Sequence, residues 1–161
     1  MSNEQQRSQF RAIAYLFLAV VALAFWQGGL SFYAIVVVPV GNSILQNGEQ
    51  GFITQQVTTW LNVSGIAAIA LLAVNAQRLR NRSLWIVCAV LIVTLAMLFA
   101  IHLKMDALLL PASFDVVDRK QFSLWHDAYL TVVTVQWSAA LAALWMLLKP
   151  LAVASQSAST E

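Results

Sequence analysis

Four long runs of the sequence contain no Asp, Glu, Lys or Arg: between Arg11 and Glu49, between Glu49 and Arg78, between Arg82 and Lys104, and between Asp127 and Lys149. A hydrocarbon core about 30 Å thick is crossed by about 20 helical residues, whose backbone groups bond within the segment. Uncharged runs of this length predict transmembrane helices. The 161 residues are 60% hydrophobic and 10% charged, whereas soluble domains average about 45–50% and about 25%. A globule of this size could not cover so much apolar side chain with water-compatible surface. That excludes a soluble enzyme, a nucleic-acid module and a disordered chain.

The element boundaries follow from where the runs are interrupted. A polar tail, residues 1–11, reads as flexible. The first helix is expected over about 12–38, with Pro39 and Gly41 as its stop. Its length exceeds the apolar core of about 7–15 residues found in a cleavable signal peptide, and no small-x-small site follows, so this helix is expected to be retained. Residues 42–56, rich in Asn, Gln and Gly, predict a loop or a short surface helix. Further helices are expected over about 57–76, 84–110 and 126–148, the third ended by Pro111 and the fourth by Lys149-Pro150. An Ala/Ser-rich tail, 150–161, reads as flexible. The expected fold is all-α: a single membrane domain folded as an antiparallel four-helix bundle.

Basic loops are retained on the cytoplasmic side of a membrane. Arg7 and Arg11 precede the first helix, Arg78, Arg80 and Arg82 sit between the second and third, and Lys149 follows the fourth. All six fall on one side of a four-span chain. The other side carries Lys104, Arg119 and Lys120, diluted by Glu49, Asp106, Asp115, Asp118 and Asp127. Both termini are therefore expected to be cytoplasmic in a multi-pass protein of the inner (plasma) membrane. Trp60, Trp85, Trp125 and Trp145 fall near the predicted boundaries, as interfacial anchors do.

Helices in lipid associate through close packing and hydrogen bonds, so small and polar residues identify inward faces. Ala24, Gln27, Gly28, Ser31 and Ile35 form such a stripe on the first helix at 100° per residue. On the second, Gln55, Thr58, Thr59, Asn62 and Ile66 share a face. His126, Tyr129, Val133, Gln136 and Ala140 repeat at spacings of three and four on the fourth helix, and His102 and Asp106 lie one turn apart on the third. These faces predict a polar cluster at the outer end, comprising Gln27, Ser31, Asn62, His102, Asp106, His126, Tyr129 and Gln136. Trp26 and Trp137 lie deeper, as core fillers or as walls of an apolar pocket.

The chain's two histidines both fall at the outer ends of neighbouring helices. With Asp106 they suggest a metal site of His102, Asp106 and His126, because imidazole and carboxylate suit zinc, copper or iron. Haem held between two histidines is a variant. The structural alternative is a His–Asp hydrogen bond at the interface, with no cofactor. Cys88 is the only cysteine, so no intrachain disulfide can form, and its apolar neighbours indicate packing.

The segment Phe25-Trp26-Gln27-Gly28-Gly29-Leu30-Ser31-Phe32-Tyr33, closing in Val37-Val38-Pro39, resembles the opening helix of small four-span bacterial membrane proteins. These form a domain-of-unknown-function family related to eukaryotic transmembrane protein 205. Phe122 and His126 are similar to the aromatic residue and histidine that introduce that family's fourth helix. The resemblance covers about Ala12 to Leu148 and implies fold and membrane location, with no catalytic residue to carry over.

No Asp, Glu, Lys or Arg lies inside the membrane-crossing part of a predicted helix, which argues against ion-coupled transport. No catalytic constellation is recognisable. The expected function is thus a non-enzymatic binding or accessory protein of the plasma membrane, in contact with the lipid bilayer and with a protein partner or a second copy, and with no nucleic acid. The alternative is a metal- or haem-binding redox protein using His102 and His126.

Overall fold

The computed structural model describes residues 2–45, 47–110 and 115–158, with side chains described for all of these except 47, 48 and 150–158. The chain is helical almost throughout. Helix α1 spans Asn3–Phe32 and passes through a π-helical segment, Tyr33–Val37, into α2, Val38–Ile44. Three long helices follow: α3 (Asn47–Arg78), α4 (Arg82–Asp106) and α5 (Arg119–Ala158). A two-residue ladder joins the last two, with β1 (Leu109–Leu110) antiparallel to β2 (Asp115–Val116). Four helical stretches are long and apolar enough to cross a membrane: Asn3–Ile44, Glu49–Arg78, Arg82–Asp106 and Arg119–Lys149.

Several boundaries differ from the sequence expectation, each for a local reason. The polar tail is helical from Asn3, because Ser2 caps the first turn by accepting from the Gln5 N–H and Glu4 stands where the helix dipole favours an acid. Pro39 does not stop the first span. It sits in the first turn of α2, where its missing N–H goes unused, and the Val38 N–H reaches back five residues to the Tyr33 carbonyl. The π register thereby absorbs the proline that an α-helix would have to break around.

Residues 47–56, expected as loop or surface helix, form the first turns of α3. Helix α4 ends at Asp106, four residues short of the expectation, because Leu109 and Leu110 pair with β2 instead. Pro111 lies outside the described residues. Helix α5 begins at Arg119 because the Asp118 carboxylate accepts from the Lys120 and Gln121 N–H groups, each at 3.0 Å. Its helical backbone also runs through Lys149-Pro150, where a stop was expected, and through the expected tail as far as Ala158. One interior proline removes a single ladder bond, and the alanine-containing stretch beyond it is able to continue the helix.

The turn between α3 and α4 is closed by bonds from the Arg80 N–H to the Gln77 carbonyl and from the Asn81 N–H to the Ala76 carbonyl. This is the Schellman arrangement, and Arg80 takes the left-handed conformation it needs, with φ 48°. Asn81 then caps α4 by accepting from the Leu84 N–H at 3.2 Å.

Helix α1 packs mainly on α3, α3 on α4, and α4 on α5, while α1 and α5 touch more sparsely. The seam of α1 is not the stripe expected from its small residues. Ala24, Gly28 and Ile35 are exposed, and a side chain at Gly28 would meet nothing within 4 Å. The buried row is Ala19, Leu23, Trp26 and Leu30, with Gln27 beside it. Trp26 sets this rotation. Its ring is fully buried against Gly65 of α3, where an added Cβ would lie 2.6 Å from the indole. Gly29 similarly admits Leu61, whose Cδ2 would be 2.9 Å from a Cβ there. Cys88 is fully buried in the same core, as its neighbours predicted.

Candidate functional site

At the end of the helices that carries the β1–β2 ladder, the π segment, α2, α3, α4 and α5 leave a cavity of about 450 Å³ between them. Its walls are chiefly apolar. Leu30 and Val133 line it, one helical turn from the buried Gln27 and Gln136. The irregular π turn helps shape it, since Tyr33, Ala34 and Val38 all face the space.

Polar groups converge on this cavity from three helices. On α3, Gln50, Thr54 and Thr58 repeat every fourth residue, so they share one face and all line it. The Tyr33 hydroxyl donates to Thr54 Oγ1 at 3.0 Å, and Thr54 in turn donates to the Gln50 carbonyl at 2.8 Å. Gly41 allows this approach, for a Cβ at that position would overlap the Gln50 carboxamide.

On α4, His102 Nε2 lies 3.3 Å from Thr59 Oγ1 and 3.4 Å from Asp106 Oδ1. The Thr59 hydroxyl already donates to the Gln55 carbonyl at 2.8 Å. Its oxygen is therefore left to accept, which suits the His102 tautomer that carries the proton on Nε2. Asp106 Oδ1 receives only the longer approach and is a buried oxygen with no hydrogen bond. On α5, Tyr129 is 8% exposed and its hydroxyl accepts from Asn62 Nδ2 at 3.3 Å. The Tyr129 ring meets His102 edge-on with centroids 6.2 Å apart, and Phe122 stacks on His126 at 6.4 Å.

Of the eight residues the sequence grouped as an outer cluster, the structure brings His102, Asp106, His126 and Tyr129 to the cavity wall. The other four lie elsewhere. Asn62 is buried behind Tyr129. Ser31 joins α1 to α5 by accepting from Trp137 Nε1 at 3.1 Å. Gln27 and Gln136 are 4% and 0% exposed, and neither side chain has a hydrogen-bond partner. The proposed metal set does not assemble: among the described residues no group of three or more His, Cys, Asp or Glu side chains is placed to hold a metal ion. His102 and Asp106 pair because they are one turn apart, whereas His126 turns its ring onto Phe122. Neither Trp26 nor Trp137 lines the cavity. Trp26 fills the α1–α3 seam and Trp137 is 40% exposed.

Sequence reasoning missed Tyr33, Gln50, Thr54 and Phe122 as lining residues. The fourfold spacing of Gln50, Thr54 and Thr58 and the proline ending an apolar run were the available signals, both pointing to a polar helical face beside an irregular turn. Comparison with protein-family models, with curated proteins and with solved structures finds no match.

Proposed function

We propose that the chain is a non-enzymatic binding protein of the plasma membrane, a four-span antiparallel bundle with both termini cytoplasmic, whose outer-end cavity takes a small, mainly apolar ligand. The observation that carries this reading is the cavity itself. At about 450 Å³ it falls in the range of small-molecule sites, which are largely apolar with a few convergent polar groups. The four apolar stretches and the placement of Arg7, Arg11, Arg78, Arg80, Arg82 and Lys149 support the membrane topology. Two cross-helix bonds support the antiparallel course: Asn75 Nδ2 donates to the Tyr15 carbonyl at 3.0 Å, while Tyr33 meets Thr54. Four members of the expected polar cluster, His102, Asp106, His126 and Tyr129, serve as cavity wall in this reading. The family resemblance of the first helix suits the same reading.

Gly51 offers a clean test. It lines the cavity, and a Cβ added there meets nothing within 4 Å. Gly51→Leu should fill the space while favouring the helix by about 0.5–1 kcal/mol. Saturation-transfer NMR with benzyl alcohol on detergent-solubilised protein should show binding to the wild type and its loss in the variant. Equal signals from both proteins would refute the cavity as the binding site.

A further inference from the structure

We propose that the occupant of the cavity is a lipophilic monocation, an organic ammonium ion carrying an apolar body, held by Asp106 and the aromatic side chains around it. This deepens the cavity reading above and rests on it. Three independent features of the wall point to positive charge. First, Asp106 is the one acid that lines the space, and no Lys or Arg lines it among the described residues. Lys104 projects outward from α4, and Arg119 is occupied by Asp115 at 3.2 Å in an exposed pair. Second, Asp106 Oδ1 is a buried atom without a hydrogen bond: His102 Nε2 lies 3.3 Å from Thr59 and approaches the carboxylate only at 3.4 Å. The Asp106 side chain is 32% exposed and its Oδ1 has only this long contact with His102, so the carboxylate keeps acceptor capacity that a cation arriving in the cavity uses.

Third, aromatic rings share the wall with the neutral polar groups of α3. Tyr33, Phe122, His126 and Tyr129 line the same space, and ring faces attract ammonium groups while remaining compatible with an apolar body. A neutral ligand would use the rings but leave Asp106 unmatched. An anion would meet the carboxylate with no Lys or Arg in the described lining, only the imidazoles of His102 and His126, to offset it. The lining therefore discriminates by charge as well as by shape.

The test uses the full chain in dodecyl maltoside, an uncharged detergent with no ammonium group, and isothermal calorimetry. Benzyltrimethylammonium is the cation, benzenesulfonate the anion of similar size, and benzyl alcohol the neutral ring. The cation should bind at least tenfold more tightly than the neutral ring, and the anion should not bind. Asp106→Asn keeps the shape and removes the charge, so it should abolish the cation's advantage and leave benzyl alcohol unchanged. An unaltered thermal transition in that variant excludes misfolding as the cause.

Benzyl alcohol binding as tightly as the cation, or full cation affinity in Asp106→Asn, would overturn the charge assignment while leaving the cavity reading intact. Failure of both the cation and the neutral ring to bind would overturn both. Binding of dihexanoylphosphatidylcholine without binding of the free cation would assign the space to a lipid headgroup and likewise overturn the proposal.

Discussion

Gln136 is fully buried, and neither atom of its carboxamide has a partner; Gln27 and the Trp26 indole N–H share that condition. A buried polar group left unbonded costs about 1–3 kcal/mol, so these residues weaken the bundle rather than hold it together. Polar packing beside the cavity behaves differently. Asn62 and Tyr129 are bonded to one another across α3 and α5. The two classes make opposite forecasts. Gln136→Leu keeps the volume nearly constant and removes the unbonded group, so it should raise stability by about 1–3 kcal/mol, measured by thermal unfolding in detergent. A fall in stability would mean that the carboxamide has a partner. Spacing had identified Gln136 and Gln27 as inward-facing, which they are. It could not reveal whether they would be bonded, because a hydrogen bond depends on what the opposite helix presents.

The connection from α4 to α5 shows how an element depends on a few polar groups. Asp115 accepts from the Val116 N–H at 2.8 Å and from Arg119 at 3.2 Å. The Val116 N–H first, and then Arg119, hold its carboxyl below the ordinary carboxylate value. A depressed folded pKa contributes stability that is present above the unfolded value of about 3.9 and is lost as pH falls through the folded value. The ladder formed by β1 and β2 should therefore loosen only in acid. Amide exchange at Val117, whose N–H bonds to the Leu108 carbonyl at 2.9 Å, should accelerate relative to its intrinsic rate below about pH 4. In Asp115→Asn that acid-dependent acceleration should vanish. Its persistence would place the control elsewhere.

Sequence signals for element ends had mixed success for the same physical reason. Asp118 followed by Gln121 is a helix-start pattern that the expected start near 126 passed over, and the helix begins there. Pro39 is a helix-stop pattern, yet the π turn before it carries the chain onward. A cap is satisfied by its immediate neighbours. A proline's effect depends on whether the surrounding helices favour continuation.

For the whole molecule, the central prediction is orientation. A reporter enzyme fused after Glu161 should be active only if it is a cytoplasmic type, and a periplasmic-type reporter there should be silent. The reverse result would place the cavity on the cytoplasmic side and contradict the charge distribution as a guide to topology. That distribution was legible in the chain alone. So were the four apolar stretches, since length and the absence of charge are properties of consecutive residues and need no partner to define them. The inward positions of Tyr129 and Gln136 and the His102–Asp106 pairing were legible too, because helical spacing alone brings such residues to one face.

What the tertiary structure decided is which helix face meets which. Ala24, Gly28 and Ile35 of the stripe expected on α1 point outward because Trp26 demands a cleft, and Gly65, thirty-nine positions away in sequence, supplies it. The cavity has the same origin. Tyr33, Gln50, His102 and Tyr129 come from separate segments, and only the packing of those segments leaves a space between them for a ligand. Periodicity acts along one helix. A site between helices arises from their relative rotation, which is set by the few bulky and absent side chains at each crossing.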